Sequence, residues 1–257
     1  MREFLEEADA HRDDGYGRAQ AQMRQELPKR FYTDVTVRAA EGGYTVTLDG
    51  RMPKTPGMKP VVVPTEPVAE AMAAEWAAQG EFIDPETMPL VRIVNSAVEG
   101  GDDALPALRD EIVKFAGNDL LLYRADGPEP LVRRQEQAWD AALIALARHF
   151  GVSFQPTIGV LHQPQPAPTL AKLAAALEPE ALLPLAALNV IVSITGSGLL
   201  ALAHRHGLLS AEEVWLAAHV DEDHNIQFWG EVQEITERRA RRRRDFDAAV
   251  RLLALAG

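Results

Sequence analysis

The residues best placed by type and spacing to do chemistry are His219, Glu222 and Asp223. On an α-helix, positions three and four apart share a face, so an imidazole and two carboxylates would meet there. That is half of a metal site, or the acid–base core of a metal-dependent hydrolase or lyase. A closed metal site needs three or four ligands, and no second ligand pair at such spacing stands out elsewhere. The sequence offers no P-loop and no G-x-G-x-x-G, and no G-x-S-x-G elbow. Thr195-Gly196-Ser197-Gly198 is glycine-rich, but no Lys-Thr follows it and it sits inside an apolar run. No catalytic residue, metal-ligand set or cofactor is assigned.

The same stretch carries a different anomaly. Val214 to Glu231 reads as one helix, opened by Ser210 as N-cap with Glu213 three residues on, a capping box. At about 100° per residue, Trp215, Ala218, Ile226 and Trp229 fall on one face, with Glu222 in its middle. Asp221 lies beside Val214, Val232 and Phe228, again on the apolar side. A carboxylate among tryptophans is costly to bury and must be paired, protonated or used. Two readings of Glu222 stay open: an acid paired with an arginine from another helix, and an anion facing a partner. For Trp76 the favoured reading is packing between the two parts of the chain, as large aromatics on covering helices normally pack. The same holds for Trp229, in line with Trp215 and Ile226.

These residues need a scaffold, and the chain supplies it in two styles. Pro28 to Pro64 alternates like β-structure, with Val35 and Val37 on one face and Tyr44, Val46 and Leu48 on another. Asp49-Gly50 is a two-residue turn signal. A meander of about four strands follows from this, too small to stand alone. Thr65 or Glu66 opens a helix with Pro67 at its first position, running to Gly80 and able to cover the meander. From Met88 onward the pattern is helical, over Pro89–Val98, Ala104–Gly117, Gln135–Phe150, Leu170–Leu177 and Glu180–His206. Short strands are expected at Asp119–Arg124 and Thr157–Leu161. The fold class is α+β: a charged N-terminal arm at 1–27, a small α/β domain at 28–86 and a larger helical domain at 87–257.

Composition narrows the function classes. The net charge is −12 over 257 residues and there is no cysteine, so disulfides and thiolate metal sites are excluded. An acidic chain repels nucleic acid and anionic membranes unless a local patch reverses the field. One such patch exists, R-R-A-R-R-R-R at Arg238–Arg244, which reads as a solvated helix end with cations near its C-terminus. Nucleic acid is disfavoured, because no interleaved aromatic or known motif accompanies it, and docking to an acidic protein surface is the better of the two binding readings. Leu182–Ala203 is uncharged over a membrane thickness, yet Pro184, Asn189, Ser193 and Thr195 dilute it. A buried core helix is expected in place of a span, with Ser193, Gly196 and Ser197 letting neighbours approach closely. The acidic N-terminus resembles neither a secretory nor a transit signal, so a soluble cytoplasmic protein, or a mature form already trimmed, is expected.

An ordered series of motifs then resembles a known family. F-Y-T-D-V-T-V from Phe31, Y-T-V-T-L-D-G-R-M-P-K-T-P from Tyr44, A-E-W-A-A-Q followed by M-P-L at Met88–Leu90, and D-E-D-H-N-I-Q-F-W-G-E follow in order from Phe31 to Glu231. Together they are similar to the F1-ATPase alpha-subunit assembly chaperones, the family of ATP synthase F1 complex assembly factor 2. The resemblance implies a non-enzymatic chaperone. It would bind the unassembled alpha subunit and prevent its aggregation until the beta subunit takes its place. It also implies an N-terminal α/β part and a C-terminal helical part. The family's sensitive acid falls on Glu222 and its tryptophan on Trp76. With Asp221, Gln227 and Trp229 these form the expected partner-binding set. Eukaryotic members are mitochondrial, whereas a bacterial cytoplasmic member, monomeric and without stable membrane insertion, fits this chain.

Overall fold

The computed structural model describes residues 27–230 and 233–257, with the side chain of Trp229 also outside what it describes. The expected N-terminal arm at 1–27 lies outside the described residues but for Leu27.

The fold begins with an antiparallel hairpin, β1 (Val35–Ala40) and β2 (Gly43–Leu48), in register from Val35 opposite Leu48 to Ala40 opposite Gly43. Side chains alternate across a strand, so one covered face would bury every second residue. In β2, Thr45, Val46, Thr47 and Leu48 are all buried, so both faces are covered. On one side Thr45 donates to the carbonyl of Val61 at 2.7 Å. Asp49 and Gly50 take positive φ of 49° and 79°, as a two-residue turn requires. Beyond it the expected third and fourth strands reduce to isolated bridges, Leu48 with Arg51, Lys54 with Pro60 and Tyr44 with Val63. Prolines at 53, 56, 60 and 64 deny that ribbon the donors a continuous ladder needs.

Helix α1 (Glu66–Ala77) covers the hairpin with Val68, Ala69 and Met72, with Pro67 in its first turn as expected. Helix α2 (Pro89–Gly100) packs on α1. It has no side-chain N-cap of its own. Glu75 of α1 supplies it instead, accepting from the N–H groups of Leu90 and Val91 at 2.9 and 2.8 Å. Burial pushes the Glu75 carboxyl upward, and these two hydrogen bonds oppose the push.

The remaining helices are α3 (Leu105–Gly117), α4 (Glu129–Gln135), α5 (Ala141–Phe150), α6 (Ala167–Leu177), α7 (Leu182–Thr195), α8 (Gly198–Arg205), α9 (Ala211–Ala218), α10 (Val220–Trp229) and α11 (Gln233–Leu255). A π-turn at Glu136–Asp140 joins α4 to α5. The short strands shrink to a parallel pair, β3 (Tyr123–Arg124) with β4 (Thr157–Ile158). Helix α7 is the centre: Leu185, Leu188 and Ile191 are fully buried, and α2, α3, α8 and α11 pack on it.

Leu182–Ala203 is not one helix. Gly196 takes the left-handed conformation at φ 71° and ends α7, and Ser197 starts α8. No described helix is long and apolar enough to cross a membrane. The close approach also differs in its residue. A Cβ on Gly198 would lie 2.4 Å from the Ile112 carbonyl oxygen of α3, so Gly198 is what lets α8 and α3 touch. Ser197 instead donates to Asp119, a fully buried carboxylate that also accepts from Leu121 and Leu199 N–H. Burial raises the Asp119 pKa to about 7 against these hydrogen bonds.

Candidate partner-docking site

The capping box forms as expected. Ser210 Oγ accepts from Glu213 N–H at 3.2 Å, and Glu213 accepts from Ser210 N–H at 2.7 Å. The helix it opens, however, is short. It ends at Ala218, His219 leaves helical geometry at φ −113° and ψ 15°, and α10 begins at Val220. The expected single helix from Val214 to Glu231 is therefore two, and the face that aligned Trp215 with Ile226 and Trp229 does not exist as drawn. His219 itself holds the break. Its Nδ1–H donates to the Trp215 carbonyl at 2.7 Å, and its ring stacks on Trp215 at 4.0 Å.

Trp215 is core, not part of an acid-and-indole surface. It is 5% exposed, packs on Phe246 at 5.3 Å and lies under Arg243 at 5.1 Å. The Trp229 side chain lies outside the described residues, so the expected setting of Glu222 between Trp215 and Trp229 is described only on the Trp215 side, where His219 lies between the two.

Glu222 is half-buried, its side chain 24% exposed, with Oε2 3.8 Å from His219 Nε2. Burial, with help from Arg239 and Arg242, holds His219 below its ordinary pKa. The ring is therefore neutral at pH 7, and 3.8 Å is too long for a hydrogen bond. This contact is not an ion pair in effect. The arginine pairing considered for Glu222 belongs instead to the next residue: Asp223 binds Arg239. Asp223 thus turns away from His219, and the three candidate metal ligands do not converge. Among the described residues, no three of His, Asp and Glu gather where they could hold a metal ion.

The other expected residues divide. Asp221 accepts from Gln135 Nε2 at 2.8 Å, and Gln227 accepts from Arg134 at 2.6 Å, so two polar contacts tie α10 to α4. Both residues are exposed. Beside them Leu216 is 52% and Phe228 67% exposed. Leu216, Val220, Asp223, Gln227 and Arg134 line a cleft of about 390 Å³. A mosaic of apolar and polar groups is present here, built from Leu216, Val220, Asp223, Gln227 and Arg134, and Glu222 is not part of its lining.

Trp76 lines a different cleft, of about 570 Å³, with Lys54, Met58, Met88 and Val91. Its ring meets Tyr32 edge-on at 5.7 Å, its carbonyl accepts from the Tyr32 hydroxyl at 2.7 Å, and its indole N–H is buried without a partner. Sequence reasoning missed Met58 in this wall. It is 67% exposed at a positive φ of 68°, on a turn pinned by Glu99, which accepts from Gly57 N–H at 2.6 Å. The signal was there in Lys54-Thr55-Pro56-Gly57, a turn sequence with an apolar residue at its tip.

The arginine run also reads differently in place. Helix α11 continues to Leu255, because Phe246, Ala249, Leu252 and Leu253 give it a buried stripe beyond the arginines. Arg238–Arg244 therefore occupies its first half, where the helix dipole does not favour cations.

Comparison with known proteins follows from this geometry. Residues 29–147 match the family described as ATP12 chaperone protein. The structure is similar to Atp12 from Paracoccus denitrificans, with 36% identity and a TM-score of 0.83, covering 90% of this chain and 99% of that one. It is similar to the Agrobacterium tumefaciens protein Atu1473, with 43% identity and a TM-score of 0.86, covering 93% of this chain and 90% of that one. A single-site mutant of the P. denitrificans protein matches at 35% identity and a TM-score of 0.82, covering 90% of this chain and 98% of that one.

Proposed function

The chain belongs to the ATP12 chaperone family, and from that premise we propose that it is an ATP synthase assembly chaperone for the unassembled F1-ATPase alpha subunit. It binds that subunit, prevents its aggregation, and gives way when beta arrives. It works as a monomer in the bacterial cytoplasm and converts no substrate.

The observation that carries the finer reading is the state of Glu222. It is a half-buried carboxylate whose nearest basic group among the described residues is the imidazole of His219, which burial holds below its ordinary pKa. A buried or half-buried charge left without a partner is costly, and a cationic group on an arriving protein would relieve that cost. The neighbouring mosaic suits an exchangeable contact, since obligate interfaces are more hydrophobic than transient ones. Trp76 supports a second contact as part of the wall of the apolar cleft it shares with Met58, Met88 and Val91. The hydrolase or lyase reading draws no support, because Asp223 and His219 point to different partners.

The test is co-refolding. Isolated alpha subunit diluted from denaturant scatters light as it aggregates. Stoichiometric addition of this protein suppresses the scatter, and added beta subunit releases the alpha subunit into an alpha–beta complex. Unchanged scatter at several-fold molar excess of this protein would sink the proposal.

A further inference from the structure

We infer that an arginine-lined cleft between α2 and α11, with the apolar cleft it adjoins, receives one extended segment of the partner polypeptide: an apolar stretch followed by acidic residues. The inference rests on the chaperone reading and adds the chemistry of what is bound.

The six arginines of the run are not equivalent. Arg239 and Arg243 face one way and are consumed there, Arg239 by Asp223 and Arg243 by Glu212 and Asp247, both lying over Trp215. Arg242 donates to the carbonyl of Ile194 near the end of α7, where a cation satisfies an orphan acceptor. Arg238, Arg241 and Arg244 are exposed and make no hydrogen bond or ion pair among the described residues. Spaced three apart, they form one ridge along the helix. Like charges at that spacing repel, and none of the three is held in an ion pair by the α11 carboxylates Glu234, Glu237, Asp245 and Asp247 among the described residues.

With Arg92 of α2 and Arg242, these three line a cleft of about 190 Å³. Two acids also line it, Glu86 and Asp245, and Asp245 is already spent on Arg92. Five guanidinium groups against two carboxylates leave an excess of three positive charges, on a protein whose net charge is −12. The local field is opposite to that of the whole molecule, which is the condition for drawing an anion to one place.

Arg92 is also the link. It belongs to the wall of the cleft lined by Trp76, Met58, Met88 and Val91. The two clefts therefore share a side chain and form one surface that is apolar at one end and cationic at the other. A free phosphate ion would use only the cationic end. A nucleic acid would find no aromatic in the arginine cleft on which to stack a base, and would face the repulsion of the acidic chain along its length. A peptide with apolar side chains followed by carboxylates complements both ends, and guanidinium forks suit carboxylates.

The test uses the full-length protein and fluorescein-labelled probe peptides read by anisotropy. One carries a Leu-Phe-Leu block followed by Glu-Glu-Glu, one the same block followed by Lys-Lys-Lys, and one Glu-Glu-Glu alone. The first is expected to bind at least about tenfold tighter than either other. Its affinity should fall as salt rises from about 50 to about 300 mM, since screening shortens the reach of exposed charges. The triple variant Arg238→Glu, Arg241→Glu, Arg244→Glu should lose about tenfold or more. The corresponding triple Lys variant should keep affinity within about threefold. Met58→Glu should weaken the first peptide and leave Glu-Glu-Glu alone unchanged. Because these side chains are exposed, melting curves of all variants should overlay the parent's. Equal binding of the Lys peptide, undiminished binding by the Glu triple variant, or displacement of the peptide by inorganic phosphate or a duplex oligonucleotide at lower concentration would each overturn the inference. Run beside the co-refolding assay, the outcomes separate: scatter still suppressed while the peptides fail removes this surface and leaves the chaperone reading, whereas unsuppressed scatter removes that reading.

Discussion

His219 and Glu222 stand 3.8 Å apart, one helical turn from each other, yet burial disfavours the charged imidazole and no arginine or lysine among the described residues pairs with the carboxylate. The His219 ring closes the break between α9 and α10 by its bond to the Trp215 carbonyl and its packing on the Trp215 ring.

Glu222→Lys should abolish capture of the alpha subunit in a pull-down while leaving the fold in place. The side chain makes no hydrogen bond among the described residues, so its loss should change stability by no more than about 1 kcal/mol. A thermal melt alongside the pull-down decides the matter. A collapse of the melting temperature would make the acid structural.

Trp76→Phe removes a buried indole N–H that has no partner among the described residues. Most of the ring packing against Tyr32 survives, so stability should shift by no more than about 1–2 kcal/mol. Capture of the alpha subunit should weaken by roughly tenfold, because the smaller ring leaves part of the apolar cleft wall unfilled. Unaltered capture would reduce Trp76 to core packing.

Asp119 lends the fold a pH dependence of defined sign. Its carboxyl sits above its unfolded value of 3.8, at about 7. Between those values the folded protein holds a proton that the unfolded chain has released. Its contribution to stability is therefore fully present below pH 3.8 and is lost as pH rises to about 7. Each unit of displacement is worth about 1.4 kcal/mol. Urea melts at pH 5 and pH 8 should show the wild type losing stability relative to Asp119→Asn as pH rises. A constant difference between the two proteins would mean that Asp119 is ionised throughout.

Gly198→Ala should be destabilising by about 1–3 kcal/mol, the usual cost of forcing atoms into a filled contact. The added methyl would lie 2.4 Å from the Ile112 carbonyl oxygen and 2.7 Å from Ala116 N, both backbone atoms that cannot swing aside. Gly207→Ala is the control for conformation alone, since φ there is 66° with nothing near a Cβ. Equal losses at both would show that helix separation is not the issue.

What the amino-acid order determined by itself was local, or carried by motif. The Ser210–Glu213 box, the Asp49-Gly50 turn and the start of α1 at Glu66-Pro67 are each settled within about four residues, where backbone preference and one side-chain bond suffice. The family was legible because its motifs keep their order along nearly the whole chain. Tertiary structure alone decided the rest. A continuous apolar period runs through Gly196 and His219, yet both end helices, because Ser197 is claimed by Asp119 from 78 residues away and the His219 ring is buried against Trp215. Arg239 and Arg243 vanish into ion pairs while Arg238, Arg241 and Arg244 do not, although spacing treats them alike. Periodicity reports which face a residue is on. It carries no information about which carboxylate, carbonyl or ring will be brought opposite that face, and those distant partners are what fix charge, burial and exposure.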